Sequence, residues 1–149
     1  MKPQSIHDEA LSICTEKASM ATLTTIDGIK FTFSPSEISA VTDHDALTGE
    51  AVTCVYGLTA APLKIKEAAD TFLGRLGITL KFAKLTRANG SPIWINALAV
   101  STLCAPLPGD YVDGVNCLVS VGSLTQGITE DPAEARAAIN ACRAADGQL

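Results

Sequence analysis

The chain has 149 residues, of which 47% are hydrophobic and 18% are charged, and its formal net charge is −5. This apolar composition argues against disorder, and the lack of a Lys/Arg cluster argues against a nucleic-acid partner. No apolar run approaches the roughly 20 residues of a spanning helix, so the sequence predicts a soluble, cytoplasmic protein with no membrane partner.

Residues 1–18 are predicted to form an N-terminal helix. Ser5 resembles an N-cap and Asp8 provides an acid in the first turn. Ile6, Ala10 and Ile13 then fall on one stripe at helical spacing. A helix this short is marginal by itself, so it must dock. Two roles remain open for it: a lid on the core, or a contact between protomers.

Residues 20–77 are predicted to form a first module. Two strands flank the turn at Asp27-Gly28, and two shorter strands follow after a polar loop. From Glu67 the apolar spacing becomes helical, which predicts a closing helix. Gly77 suits the left-handed position that ends such a helix.

Residues 80–145 are predicted to form a second module that begins with a hairpin. Asn89-Gly90 predicts a type I′ turn, in which both central residues need positive φ. In the strand after the turn, Ile93 and Ile95 share one face and Trp94 points to the other. Asp131 can cap the final helix, with Pro132 at its first position.

The two modules read as copies of one unit. Leu23–Gly28 matches Leu85–Gly90 at a constant offset, and the third strand and closing helix also recur. Units of about 60 residues have thin cores, so we expect them to share one hydrophobic interior. The predicted fold is therefore α+β: two repeated antiparallel β-sheet units, each closed by a helix, packed as a pseudo-twofold pseudo-dimer. Exposed sheet edges also predict a homo-oligomer.

The second module resembles the FlbD-like family of small, flagellum-associated bacterial proteins. Members share a Leu-Thr-Arg-x-Asn-Gly hairpin, an apolar strand ending in Asn, and an acidic start to a C-terminal helix. The matching residues here are Leu85, Thr86, Arg87, Asn89, Gly90, Ile93, Ile95, Asn96, Ile128 and Glu130. The resemblance implies the small β-rich fold. A tandem copy with an extra N-terminal helix departs from the flagellar pattern, and similar short proteins occur in phages.

The sequence contains little that predicts catalysis. Asp43-His44-Asp45 is the one compact cluster that could accept protons or bind a metal, but a solvated loop is the preferred interpretation of it. Of the five cysteines, Cys54, Cys117 and Cys142 fall on predicted inward faces. No phosphate-binding glycine motif or G-x-S-x-G turn is present. We therefore predict no enzyme activity, no cofactor and no metal site.

Binding features are concentrated on the second hairpin. Lys84, Arg87, Trp94 and Asn96 could bind a ligand or a partner, with cations for phosphate and a ring for stacking. Trp94 could equally be buried by the N-terminal helix or by the first module. Tyr111, in the Pro/Gly-rich loop, is a further candidate contact or an ordinary loop residue.

These features predict a non-catalytic binding protein that acts through protein–protein contacts, as an inhibitor or an assembly adaptor. The alternative is a phage-type sponge that sequesters a nucleotide signalling molecule through Lys84, Arg87, Trp94 and Asn96. A flagellar-associated factor is a weaker alternative, and an enzyme that uses Asp43, His44 and Asp45 is the weakest.

Overall fold

The computed structural model of the chain describes residues 20–45, 48–107 and 114–145. The predicted N-terminal helix and Tyr111 lie outside these residues. The described elements are the strands β1 (Ala21–Thr24), β2 (Lys30–Phe33), β3 (Ala40–Thr42), β4 (Thr53–Tyr56), β5 (Leu63–Ile65), β6 (Phe82–Thr86), β7 (Pro92–Asn96), β8 (Val100–Cys104), β9 (Cys117–Val121) and β10 (Leu124–Ile128), and the helices α1 (Ala69–Leu76) and α2 (Pro132–Ala145). The predicted α+β class is confirmed.

The strands form three antiparallel sheets. A five-stranded sheet has the order β5-β4-β3-β7-β6, a three-stranded sheet has the order β10-β9-β8, and β1 pairs with β2. The strand β3 is the centre of the large sheet: Val41 lies opposite Val55 of β4 on one side and opposite Trp94 of β7 on the other. The large sheet thus joins the two stretches that the sequence divides into modules.

The pairing between the two halves does not follow the predicted pseudo-twofold axis. A twofold axis that relates the two halves would generate a second pair from the β3–β7 pair. That second pair would join β8 to β2. Within the described residues, β8 pairs with β9 and β2 pairs with β1, and neither has a second strand beside it. The halves therefore meet through non-equivalent surfaces, in a head-to-tail manner.

The second hairpin turns at the predicted place but not with the predicted geometry. Gly90 has a φ of +88°, whereas no non-glycine residue in the described part of the chain has positive φ, so Asn89 does not adopt a type I′ conformation. Gly90 N donates to Arg87 O at 2.8 Å, and Arg87 N donates to Ser91 O at 2.8 Å. This is a type I turn followed by a left-handed residue. Asn89 Oδ1 stabilises it by accepting from Ser91 N at 2.9 Å.

Both helix ends that the sequence marks are confirmed. Gly77 has a φ of +72° and its N–H donates to Leu73 O and Gly74 O, which closes the end of α1. At the start of α2, Glu134 N donates to Asp131 Oδ1 at 2.8 Å, and Asp131 N donates to Glu134 Oε1 at 3.2 Å. This reciprocal pair is a capping box.

The interior consists of two main apolar clusters rather than the single shared one that we predict from the sequence. One cluster packs α1 against one face of the large sheet and includes Phe72, Val41 and Trp94. The other includes Ala40 and Ile95 and joins the opposite face to the three-stranded sheet. Consecutive residues of a strand point to opposite faces, so β3 and β7 each contribute to both clusters. A small third cluster lies under α2.

Candidate functional site

A groove of about 710 Å³ lies between β6–β7 and the first half of the chain. Lys84 and Trp94 line it, and they are directly opposite each other in the β6–β7 register. Lys84 Nζ lies 5.4 Å from the centroid of the Trp94 ring, within the range of a cation–π contact. The structure therefore brings together two of the predicted site residues.

The groove is more acidic than cationic. Its lining contains two lysines, Lys66 and Lys84, together with His44, whereas the carboxylates are Asp43, Glu50, Glu67 and Asp70. Several of these acids have internal partners: Glu67 Oε1 lies 2.8 Å from Arg75 Nη2, and Asp43 Oδ1 lies 2.8 Å from His44 Nδ1. This charge balance opposes the binding of a phosphate group.

Trp94 lies in the interior, so one of the two predicted alternatives is settled. Its side chain is only 9% exposed and belongs to the cluster that contains Phe72 and Val41. Its exposed edge faces the groove under Lys84. Trp94 therefore stabilises the junction of the two halves, and little of its ring is available to stack on a ligand.

Arg87 is buried and engaged in internal hydrogen bonds. The residue is 4% exposed, its Nη2 donates to His44 O at 3.2 Å, and its Nε donates to Ser91 Oγ at 3.1 Å. Thr42 Oγ1 donates to the same His44 carbonyl at 3.1 Å. The predicted role of Arg87 as a free cation for a ligand does not fit this geometry, since its guanidinium joins the second hairpin to the loop after β3.

Asn96 is likewise a structural residue. It is 6% exposed, and its Nδ2 donates to Ile38 O at 2.9 Å and to Ser36 O at 3.5 Å. Its Oδ1 accepts from Leu98 N at 3.1 Å, which caps the short 3₁₀ turn before β8. The amide is therefore saturated by backbone groups and does not reach the groove with an unpaired atom. The predicted cluster of four ligand contacts does not form.

The Asp43-His44-Asp45 segment lies at the rim of the groove. Asp45 Oδ2 is 2.8 Å from Lys64 Nζ, and this hydrogen-bonded pair raises the pKa of Lys64. With Asp43 paired to His44, both acids are used in local contacts. Among the residues that the structure describes, no group of three or more His, Cys, Asp or Glu side chains could hold a metal ion.

The cysteines in the described residues differ in how far they are buried. Cys54 and Cys117 are buried and Cys142 is half-buried, and desolvation raises the pKa of each of these three thiols. A raised pKa lowers the thiolate fraction, which is the opposite of what a nucleophile needs. Cys104 is exposed at the end of β8.

The sheet edges at β2 and β8 form a second candidate interface. The sequence predicts exposed sheet edges but does not indicate which strands form them. A groove of about 210 Å³ runs between β8 and α2 and is lined by Val100, Leu103 and Ile139, among others. Arg143 of α2 closes one end of it, because Nε donates to Ala97 O at 3.0 Å and Nη2 donates to Val100 O at 3.1 Å. The adjacent polar residues Ser101 and Thr102 within Val100–Cys104 are the sequence signal that could have indicated an edge strand.

A scan against protein-family models and searches of curated proteins and of solved structures found no match for this chain. The resemblance to the FlbD-like family therefore stays a prediction from the residues of the second hairpin. No helix in the described part of the chain has the length and apolar character needed to cross a membrane.

Proposed function

We propose that this chain is a non-catalytic binding protein that acts through protein–protein contacts, as an assembly adaptor or an inhibitor. The buried charged, amide and thiol side chains support this interpretation, because their contacts stabilise the fold. The Arg87 guanidinium and the Asn96 amide are hydrogen-bonded to backbone carbonyls, and burial suppresses ionisation of the Cys54 thiol.

We further propose that the chain is a duplication of one module. Residues 20–77 and 80–145 show the same order of elements: a hairpin, a 3₁₀ turn, three strands and a helix. A single bridge joins Thr25 to Ile65 in the first half, and a bridge at the corresponding place joins Arg87 to Ile128 in the second. These observations support the duplication. The FlbD-like resemblance rests on the residues of the second hairpin, and a tandem arrangement does not itself favour a flagellar role.

One observation carries the proposed mode of binding: β8 presents a sheet edge beside a helix. In the first half, the corresponding position next to β3 and α1 is filled by β7, whose Trp94 packs in the cluster with Phe72. In the second half, β8 and α2 border a groove instead. An exposed edge with an adjacent groove is the geometry of β-strand addition, in which backbone hydrogen bonds give affinity and side-chain pockets give selectivity.

The nucleotide sponge is the less well supported proposal. It would use the larger groove, where Lys84 lies over Trp94. The two other predicted contacts, Arg87 and Asn96, are buried among backbone carbonyls, and carboxylates outnumber lysines in the lining. A phosphate-bearing ligand would therefore be bound against an unfavourable field.

The test is a capture of partners from the native cell followed by binding measurements with the purified partner. Leu103→Pro removes a backbone N–H from the outer side of β8, and Thr24→Pro is the control, since Thr24 is an exposed residue of β1, which belongs to a different sheet. We expect wild type and Thr24→Pro to bind the partner and Leu103→Pro to bind at least tenfold more weakly. Equal binding by all three, or a substrate turnover abolished by His44→Ala, would contradict the proposal.

A further inference from the structure

The junction between the two halves shows in detail how one strand edge of this fold accepts another. In the β3–β7 pair, Val41 is opposite Trp94, and Asn96 N donates to Ser39 O at 2.9 Å. Backbone groups of an antiparallel strand point alternately to its two sides. Because Asn96 N points toward β3, the N–H and C=O of Trp94 also point toward β3, where they meet those of Val41.

The two strands that correspond to β3 and β7 in the other half are β8 and β2. Like β3, β8 follows a 3₁₀ turn, and like β7, β2 is the second strand of a hairpin that turns through a glycine. Thr25 N donates to Ile29 O, so alternation directs the N–H and C=O of Thr32 away from β1. The corresponding groups of Leu103 point away from β9 by the same equivalence. Within the described residues, β2 and β8 each pair with a strand on one side only.

We propose that β8 of one copy of this chain pairs with β2 of a second copy, repeating between chains the junction that β3 and β7 make within the chain. The register carried over from that junction places Leu103 opposite Thr32 and Cys104 opposite Phe31. The inference rests on the proposed function, and it names a second copy as one occupant of the edge. The interface is head-to-tail, since its two sides are different surfaces, and it generates a ring or an open chain of copies.

The side chains at the two edges suit this junction. Thr32 is exposed and small, so it can enter the groove of about 210 Å³ between β8 and α2. At the internal junction, Asn96 of the incoming strand donates to Ile38 O. At the open edge the carbonyl at the corresponding position is that of Val100, and Arg143 of the same chain already donates to it, so the incoming strand needs no amide there.

Two exposed apolar side chains give a second reason to expect contact. Ile29 is 55% exposed just before β2, and Leu107 is 70% exposed just after β8. In the inferred register, continued past the strand ends, Leu107 of one copy falls opposite Gly28 of the next, one residue away from Ile29, so both apolar residues lie at the same end of the junction. Removal of part of this apolar surface from water on pairing would favour the junction.

The first experiment measures the mass of the purified full chain by light scattering over a range of concentrations. Wild type should be larger than a monomer, with a mass that rises with concentration or settles at a closed ring. Thr32→Pro removes the outward N–H of β2 and should reduce the mass to that of a monomer. Thr24→Pro is the matched control, because it places the same substitution on the opposite edge of the same hairpin; it should assemble like wild type.

A mixing experiment shows whether the interface is head-to-tail. Thr32→Pro leaves the β8 edge intact, and Leu103→Pro leaves the β2 edge intact. Each variant alone should be a monomer, and the mixture should form a 1:1 dimer that grows no further, because only one productive junction remains. A self-complementary interface would give no such rescue. Circular dichroism and thermal melting confirm that each variant is folded.

A cross-link tests the register without depending on proline. Phe31→Cys places a thiol opposite the native Cys104 of the next copy, at the Cα separation of directly opposed strand residues, which suits a disulfide. Mild oxidation should give covalent oligomers, and adding Cys104→Ser to the same chain should abolish them. A wild-type chain that stays monomeric at all concentrations, or covalent oligomers that persist without Cys104, would overturn the inference. Binding of a different purified protein that is lost in Leu103→Pro would then still support the proposed function.

Discussion

Replacement of Asn96 gives the sharpest test of how the two halves are joined. Its amide donates to the buried Ile38 carbonyl at 2.9 Å and accepts from Leu98 N at 3.1 Å. Asn96→Ala removes these two bonds, together with the longer 3.5 Å bond to Ser36 O, and leaves the buried Ile38 carbonyl without this donor. Each lost bond costs about 1 kcal/mol, and the unpaired carbonyl adds roughly 1 kcal/mol more, so the free energy of unfolding should fall by about 2–3 kcal/mol.

Asn96→Asp should behave differently as the pH changes. Its carboxyl can still accept from Leu98 N, but an ionised oxygen would face the Ile38 carbonyl at the 2.9 Å distance of the lost bond. The folded state therefore favours the protonated acid, and the folded pKa lies above the unfolded value of about 3.9. Stability of this variant is greatest below the unfolded pKa and is lost as the pH rises toward the folded pKa.

The assay is urea unfolding of wild type and both variants between about pH 4 and pH 7, with the loss of stability taken relative to wild type at each pH. Asn116→Ala is the control, because Asn116 Nδ2 also donates to a backbone carbonyl, that of Thr129, but on the surface. The control should lose no more than about 0.5 kcal/mol. Equal losses in Asn96→Ala and Asn116→Ala, or a loss in Asn96→Asp that does not grow with pH, would contradict this role of Asn96.

Three further predictions concern the candidate sites. Arg87→Met leaves the His44 carbonyl without its guanidinium donor and should lower the urea-unfolding free energy by about 2 kcal/mol; a loss under about 0.5 kcal/mol would contradict a structural role. Cys104 is exposed, whereas burial raises the pKa of Cys54, so peptide mapping after brief alkylation at pH 8 should find Cys104 labelled and Cys54 unlabelled; the reverse order would be contradictory. A nucleotide panel should shift the melting temperature by less than about 1 °C, and a larger rise that Lys84→Ala abolishes would favour the sponge instead.

Local chemistry made several elements predictable from the sequence. The turn at Asn89-Gly90, the left-handed end of α1 at Gly77 and the cap of α2 at Asp131 each depend on a few neighbouring residues. The predicted turn type at Asn89-Gly90 was nevertheless wrong. Only the glycine takes the left-handed conformation, and the Asn89 side chain accepts a hydrogen bond from Ser91 N. A two-residue signal fixes where the chain reverses more firmly than how it does so.

Features that depend on distant strands were not predictable in the same way. Alternation predicts that the Trp94 side chain lies on the other face of its strand from Ile93 and Ile95. It does not predict that α1 covers that face. Arg87 reads as a surface cation until the loop after β3 supplies the His44 carbonyl. The strand order depends on how the two halves pair, and this pairing also leaves β8 at an open edge. The periodicity of a single strand does not indicate its partner in another part of the chain.

The head-to-tail joining of β3 and β7 has an evolutionary consequence. A single-copy ancestor would have to use one strand sequence both for its own hydrophobic interior and for recognition of its neighbour. In the duplication that we propose, the second copy of that strand, with Trp94, would be committed to folding, while the first, with Thr32, would remain at an open sheet edge. Substitutions should therefore accumulate unequally in the two hairpins, with the terminal one drifting or adapting and the internal one held constant.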